Sequence, residues 1–490
     1  MRCLARAVTG LKTLNRSSHF RMASSTSGFP YKMHVTPDNT GLWGIKQTDE
    51  AAEKVSELLQ EDLEKHHVFF NQDGFHNHIP HHLLALYGTG ASPSSLVKAY
   101  TTNASYQRPA LAPRTAAPPA TATFASLTPH LGNEAYYPDF LRFFQSEIAA
   151  AASKPSSTTT SRSTSSSSSY QAVLHKYLLA GDAAAEPLLV RLFAGFLHPL
   201  IQLMYGMEWA QAAVVAEALA QAAVHSGDIG GFLNGAEDKA AVAKGGRGMA
   251  GIMRLVEEVK ADGTVAGAAR PGDGNKIRDG VMKRASGEMI ALAAGVGVGV
   301  EEVEERTAEM FETCVLMAAA AALVQPTKQP KFDFFLMHHV TSAPFFVTLN
   351  AQDWVSPETK ARLLEWKIRM DLLQYAARGV PELSLEKLAA YQPRRPELGG
   401  SLEAIVARLH DFPDDGHAIK LGRAAVICRN VCKKYEDQGR DWVKIKGDDM
   451  WAKVCHLIVD SVEAPGARWV RSCGFEEAWE DIPDIEDPRL

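Results

Sequence analysis

Cysteine is scarce in this chain: six in 490 residues, scattered from Cys3 to Cys473. That is no disulfide framework, and the thiols read as reduced ones in an intracellular protein. Cys428 and Cys432 stand four apart on what reads as one helix, with no second pair nearby to complete a zinc site, so helix packing explains them. No apolar run is long enough to span a bilayer, so no membrane insertion is expected. No stretch clusters Lys and Arg with aromatics, and the formal net charge of −6 argues against a nucleic-acid partner. Hairpin signals are also rare; residues 345–349 are the best strand candidate, and there is no βαβ rhythm. Self-similarity at about 34–47 residues, the mark of a helical solenoid, is not visible.

Dinucleotide loops are wanting too. Residues 246–251 spell GRGMAG, which satisfies G-x-G-x-x-G, but AEDKAAVAKG before them is no strand. A pyrophosphate cradle needs a strand feeding the glycines into a helix. The GVGVGV run at 295–300 fails in the same way. No bound flavin or nicotinamide is therefore expected.

What the chain does have is helical periodicity. Apolar residues recur at helical spacing over 50–70, 78–86, 136–152, 170–179, 186–225, 300–324, 332–346, 357–378, 402–409, 416–435 and 450–462. The expected fold is all-α, a single large helical domain over 38–490. Three segments read as surface insertions: 101–128, rich in Pro, Ala and Thr; the serine-rich 153–169; and the Gly- and Lys-rich 234–284, with one helical piece near 252–260. The serine run cannot bury enough apolar area to order itself. Residues 1–37 carry Arg2, Arg6, Lys12, Arg16, Arg21 and Lys32 and no acidic residue. They read either as a mitochondrial transit peptide or as a disordered basic leader; the expected location is the cytoplasm, or the mitochondrion if the leader targets it.

Histidine is the informative residue. Within GFHNHIPHHLLALYGTGA, His76, His78, His81 and His82 stand in seven residues. A helix starting near Asn77 puts His78, His81 and His82 on one face. A buried imidazole is costly unless both nitrogens find partners. Either a metal or polar ligand supplies them, or one or two rings cap the helix while others face water. Further on, His198 precedes Pro199, a helix breaker, and Glu208, Glu217 and His225 follow in an apolar stretch. A straight helix would separate His198 from His225 by about 40 Å, so both reach one site only if the chain reverses, for instance near Gly206. His338 and His339 lie in FDFFLMHHVTSAPFF, about 100° apart on a helix, so at most one faces a given point. Lys367 sits between Trp366 and Met370. It is either a snorkelling surface lysine or a buried amine of depressed pKa, nucleophilic towards CO₂. Asp414 or Asp415 can cap the helix that carries His417, Lys420 and Arg423.

These pieces together resemble the questin oxidase-like family of fungal aromatic-polyketide pathways. The matching text is FHNHIPHHLLALYGTGAS, HPLIQLMYGMEW with AEALAQAAVHS, the His338–His339 pair, LLEWKIRMDLLQYAARGVPEL, DDGHAIKLGRA and WVRSCGFEEAWEDIP, in the expected order from about 75 to 483. The resemblance implies an O₂-dependent oxidoreductase acting on a small aromatic polyketide such as an anthraquinone, by Baeyer–Villiger oxidation or ring-cleaving dioxygenation. It further implies a non-haem iron held by four histidines and a carboxylated lysine. Carried onto this chain, the lysine is Lys367. The histidines come from His78, His81 or His82, then His198, His225, and His338 or His339, with His417 left for ligand or substrate contact. The expectation is that His82, His198, His225 and one of His338 or His339 converge with Lys367 on one pocket. Without metal, the same histidines would deprotonate a hydroquinone that reacts directly with O₂. A metal-dependent hydrolase and a non-catalytic helical scaffold are the competing classes.

Overall fold

The computed structural model describes residues 30–115, 123–153, 167–242 and 249–485. Among them it contains helices and isolated β-bridges, and no strand ladder. The all-α reading holds, and one hydrophobic core joins segments on both sides of the serine run, from Phe140 and Phe144 to Tyr170 and Leu174. Residues 1–29 and 154–166 lie outside the described residues, so the leader and most of the serine run do too.

Side-chain caps define many helix starts. Thr48 accepts a hydrogen bond from Ala51 N ahead of helix Asp49–Lys65, and Ser356 from Thr359 N ahead of Pro357–Ala377. Helix Ile79–Gly88 is apolar or histidine-bearing throughout and buried on every side. The hairpin of His198–Glu208 and Ala212–Val224 is likewise buried on every side, the pattern of a helix inside a core rather than on its surface. Its two arms approach closely at Gly206, where a Cβ would stand 2.9 Å from Val215 N. The reversal itself falls three residues later, at Trp209–Gln211, where Gln211 N closes the turn on Gly206 O at 2.8 Å.

Two expectations need correction. Residues 345–349 form no strand; they lie in helix Pro344–Asn350, where Pro344 starts the helix and Phe345 and Phe346 are buried. Residues 30–37, expected to belong to a disordered leader, instead pack on the helical core: Met33 and Val35 are buried and His34 N donates to Gln211 Oε1 at 2.9 Å. The glycine-rich segment also does more than cover the surface. Helix Ile252–Ala261 buries Ile252, Leu255, Val256 and Val259. Its N-terminus is taken by Glu309, whose carboxylate accepts from Ile252 N at 2.7 Å where a phosphate would otherwise sit. Among the described residues no single helix is long and apolar enough to cross a membrane.

Candidate active site

Six histidines from four parts of the chain meet in the interior. His76 lies in the extended segment before helix Ile79–Gly88, and His78 is that helix's N-cap residue. His198 opens one arm of the apolar hairpin and His225 closes the other, so the reversal brings the two ends together. His338 belongs to helix Phe334–Thr341, and His417 starts helix His417–Asp437. His76 and His198 stack with ring centres 3.9 Å apart and planes 5° apart. His338 lies 4.8 Å from the His198 ring and 5.0 Å from that of His417.

The hydrogen bonds around these rings share one polarity. His198, His225 and His338 donate Nδ1–H to the backbone carbonyls of Gly195, Gln221 and Phe334 at 2.6, 2.6 and 2.5 Å. His78 and His417 donate theirs to Asp415, at 3.0 Å to Oδ2 and 2.5 Å to Oδ1. The neutral rings of His78, His198, His225 and His338 thus turn Nε2, as a lone pair, towards another imidazole. His78 Nε2 stands 2.9 Å from His198 Nε2, His76 Nε2 2.8 Å from His225 Nε2, and His417 Nε2 3.2 Å from His338 Nε2. Two lone pairs at that distance repel unless a cation lies between or beside them. Two nitrogens bound at right angles to one metal, each at about 2.1 Å, also stand about 2.9 Å apart. The ligand atoms of His78, His198 and His417 all lie within 4.8 Å of one another, a group able to hold a metal ion.

Electrostatics keep His76, His78, His198, His225 and His338 neutral, as metal ligation requires. Burial pushes His78 down to about 3, with the charges of Lys420 and His417 adding to it, and pushes His225 down to about 4. His76, His198 and His338 are lowered well below the ordinary histidine value, burial first and neighbouring imidazoles second. Burial opposes ionisation of Asp415, but His417 and His78 outweigh it and hold its pKa well below the usual carboxylate range.

The backbone is shaped around this centre. Gly195, Phe196 and Leu197 have φ of 55°, 54° and 66°, three consecutive residues in the left-handed region ahead of His198. Non-glycine residues held there are strained and concentrate at functional sites. At Gly195 a Cβ would lie 2.3 Å from His225 Nε2, so only glycine lets the turn approach the rings. A cavity of about 450 Å³ opens onto His76, His78, His198 and His225 and is walled by Phe69, Phe75, Phe196 and Phe334.

Sequence candidates fall into two groups. His78, His198, His225, His338 and His417 come together. His82 does not join them: its Nδ1 faces the Asn103 amide at 3.3 Å, and its ring packs under Gly416. The one-face argument assumed a helix from Asn77, whereas the helix begins at Ile79 and leaves His78 outside its register. His81 is fully buried beside Tyr205, with neither ring nitrogen paired. His339, turned away from His338, bonds Asp371 through Nδ1 at 2.5 Å. Lys367 is also elsewhere, its Nζ held by Asp371 at 2.5 Å and flanked by Cys314 and Met310. It is fully buried, which excludes snorkelling. Burial works against its charge, but Asp371 and Cys314 outweigh it and raise the pKa, so the amine is not primed for CO₂.

The residues that sequence reasoning undervalued are His76, Asp415 and Lys420. Lys420 is buried one turn after His417, its amine has no hydrogen bond or ion pair among the described residues, and burial pushes it down to about 8. Its charge reaches His78, His81, His82 and His338. The signal was available in DDGHAIK, where a lysine follows a histidine at i+3 on an apolar face.

The model of the questin oxidase-like family matches residues 75–425, a span that encloses all six histidines. The chain belongs to the questin oxidase-like family. An oxidoreductase of Aspergillus parasiticus, AflY, is 35% identical to it over 92% of each chain. A Baeyer–Villiger monooxygenase of Cryptosporiopsis, dmxR6, is 34% identical over 92% of this chain and 98% of its own. A questin oxidase of Aspergillus fumigatus is 33% identical over 89% of this chain and 95% of its own. Against the non-haem iron that the resemblance implies, the inward Nε2 atoms of His78, His198 and His417 fit as donors, with His338 alongside. Lys367 does not fit, being tied to Asp371.

Proposed function

We propose that this chain is an O₂-dependent oxidoreductase that inserts oxygen into, or opens, a quinone or hydroquinone ring of a polycyclic aromatic polyketide. The observation that carries the reading is the set of buried imidazoles whose Nε2 atoms face one another beside an aromatic cavity. The names of the relatives, questin oxidase and Baeyer–Villiger monooxygenase, support the reaction class. A scaffold protein has no use for such a cluster, which costs free energy to desolvate.

The residues have separable tasks. Phe69, Phe75, Phe196 and Phe334 offer ring faces and edges to a flat substrate and displace water from it. His225, its Nδ1–H committed to Gln221 O, presents Nε2 as an acceptor, and with His76 it forms a pair that can hold one proton between nitrogens. A phenolic proton of the bound hydroquinone passes to that pair, leaving an electron-rich phenolate. Asp415 fixes the tautomer and direction of His78 and His417 together, the usual task of a carboxylate behind metal-binding histidines. An iron here would be held by His78, His198 and His417, with His338 and a carboxylated Lys420 beside it, and would supply one-electron chemistry towards O₂.

The test is oxygen uptake and product mass with isotopically labelled O₂ and a hydroxyanthraquinone presented as its hydroquinone. Label from O₂ in a ring-expanded or ring-opened product supports the assignment. Absence of O₂ uptake with any hydroxyaromatic offered, or label arriving from water alone, overturns it.

A further inference from the structure

A second cavity of about 420 Å³ lies against the first, and the two share Gly195, Phe196 and Ser226 as a common wall. Apolar side chains dominate its lining, among them Phe193, Phe232, Ile229 and Met282. Two polar groups face it from the core. Gln374, on helix Pro357–Ala377, is about 1% exposed, and both its amide nitrogen and its amide oxygen lack a partner. His339, which lines the cavity, gives its Nδ1–H to Asp371, which leaves Nε2 as an acceptor with no hydrogen-bond partner among the described residues. Asp371 is itself neutralised by Lys367, so the buried ion pair serves to fix one tautomer of one imidazole.

A buried carboxamide with nothing to bond is costly to maintain, and it calls for a ligand that both donates and accepts. The acceptor at His339 calls for a second donor. A flat apolar slot with this edge matches a ring that carries a hydroxyl next to a carbonyl. A hydroxyquinone carries that pair, and so does its hydroquinone in the keto form.

We propose that this second cavity is a recognition pocket for a hydroxylated quinone ring, gripped by the Gln374 carboxamide and His339 Nε2. The identity of the ligand rests on the oxidoreductase reading above; the place of binding rests on the cavity alone. Gln374 and His339 are the contacts. Asp371 and Lys367 are positioning residues acting through His339. The pocket adjoins the cavity over the histidine centre through Gly195, Phe196 and Ser226, so a ring held there sits next to that centre.

The test is an anaerobic titration of the full-length protein with a dihydroxyanthraquinone and with unsubstituted anthraquinone, read by quenching of tryptophan fluorescence. Gln374→Met should weaken the hydroxylated probe roughly tenfold, as expected for lost hydrogen bonds, and leave the unsubstituted one within about twofold. Because the amide has no partner in the free protein, the same variant should melt no lower than the parent. Ile229→Trp, at a partly exposed wall position, fills the slot and should weaken both probes. Parent-like binding of the dihydroxy probe in both variants overturns the pocket, even where oxidation of that ring is observed. Binding that obeys these variants in a protein without O₂ uptake supports the pocket and sinks the catalytic reading instead.

Discussion

His78 and His198 are 120 residues apart in the chain, yet their Nε2 atoms face each other at 2.9 Å. Two devices set this contact: Asp415 behind His78, and the left-handed Gly195–Leu197 turn ahead of His198. Both can be removed singly.

Replacing Asp415 by Asn leaves one acceptor oxygen for two imidazole N–H groups, so His78 or His417 loses its tautomer lock. Metal affinity measured by competition with a chelator should fall by about 10–100-fold, the usual cost of losing such a partner, with the helical circular dichroism unchanged. Parent-like affinity would show that Asp415 serves only packing.

Gly195→Ala meets both a positive φ, costing about 1–2 kcal/mol, and a clash with His225 Nε2 and His76. The variant should fold with a lower melting temperature and lose turnover by at least about tenfold, since misplacement of about 1 Å has that consequence. Unchanged kcat/KM would mean that the turn is not part of the site.

The two buried lysines should separate cleanly. Lys367→Met strands the Asp371 carboxylate and should destabilise the protein by about 3–5 kcal/mol, a loss largely relieved by adding Asp371→Asn. Lys420→Ala strands no ion pair and should leave unfolding midpoints near the parent while abolishing turnover, with bicarbonate and a short carboxylic acid restoring part of it. Turnover surviving in Lys420→Ala would remove that lysine from the centre.

Glu217 supplies a pH test away from the histidine cluster. Burial pushes its carboxyl up to about 8, the Asp62 charge adds to this, and a hydrogen bond from Gln202 opposes it. The folded protein therefore keeps a proton that the unfolded chain releases above the ordinary value of 4.5. Its contribution to stability is complete below that value and is lost as pH rises through about 8. Glu217→Gln should raise the urea midpoint at pH 8 more than at pH 5, with a gain of about 1–3 kcal/mol near neutrality. Equal gains at both pH values would mean that Glu217 is ionised in the native state.

Much of the architecture was legible because helices announce themselves by period, and the mostly apolar character of 198–224 marks an interior hairpin. The site was legible as residue types more than as partners. His198 and Pro199 correctly mark a break, but the reversal that returns His225 to it depends on close packing at Gly206, which periodicity does not report. His82 misled because the helix register was off by two residues, and at a helix start that decides which ring is inside. Lys367 and Lys420 are alike as text, each a lysine on an apolar helix. Only the facing side chains tell them apart: Asp371 pairs directly with Lys367, whereas Asp414 and Asp415 act on Lys420 only through their charge. Asp415 looked like a helix cap, whereas Asp414 accepts from Gly416 N and Ala418 N at that terminus and Asp415 is left to hold two histidines.

The central claim is that the inward-facing imidazoles form a metal-dependent oxidation centre, and metal content set against turnover tests it most directly. Purified protein and its His198→Ala variant would be analysed for iron by mass spectrometry and assayed for O₂ uptake with a hydroxyaromatic substrate. The account predicts about one iron per active chain, and loss of iron and uptake together in the variant. Full O₂ uptake by a preparation with no stoichiometric metal would contradict it.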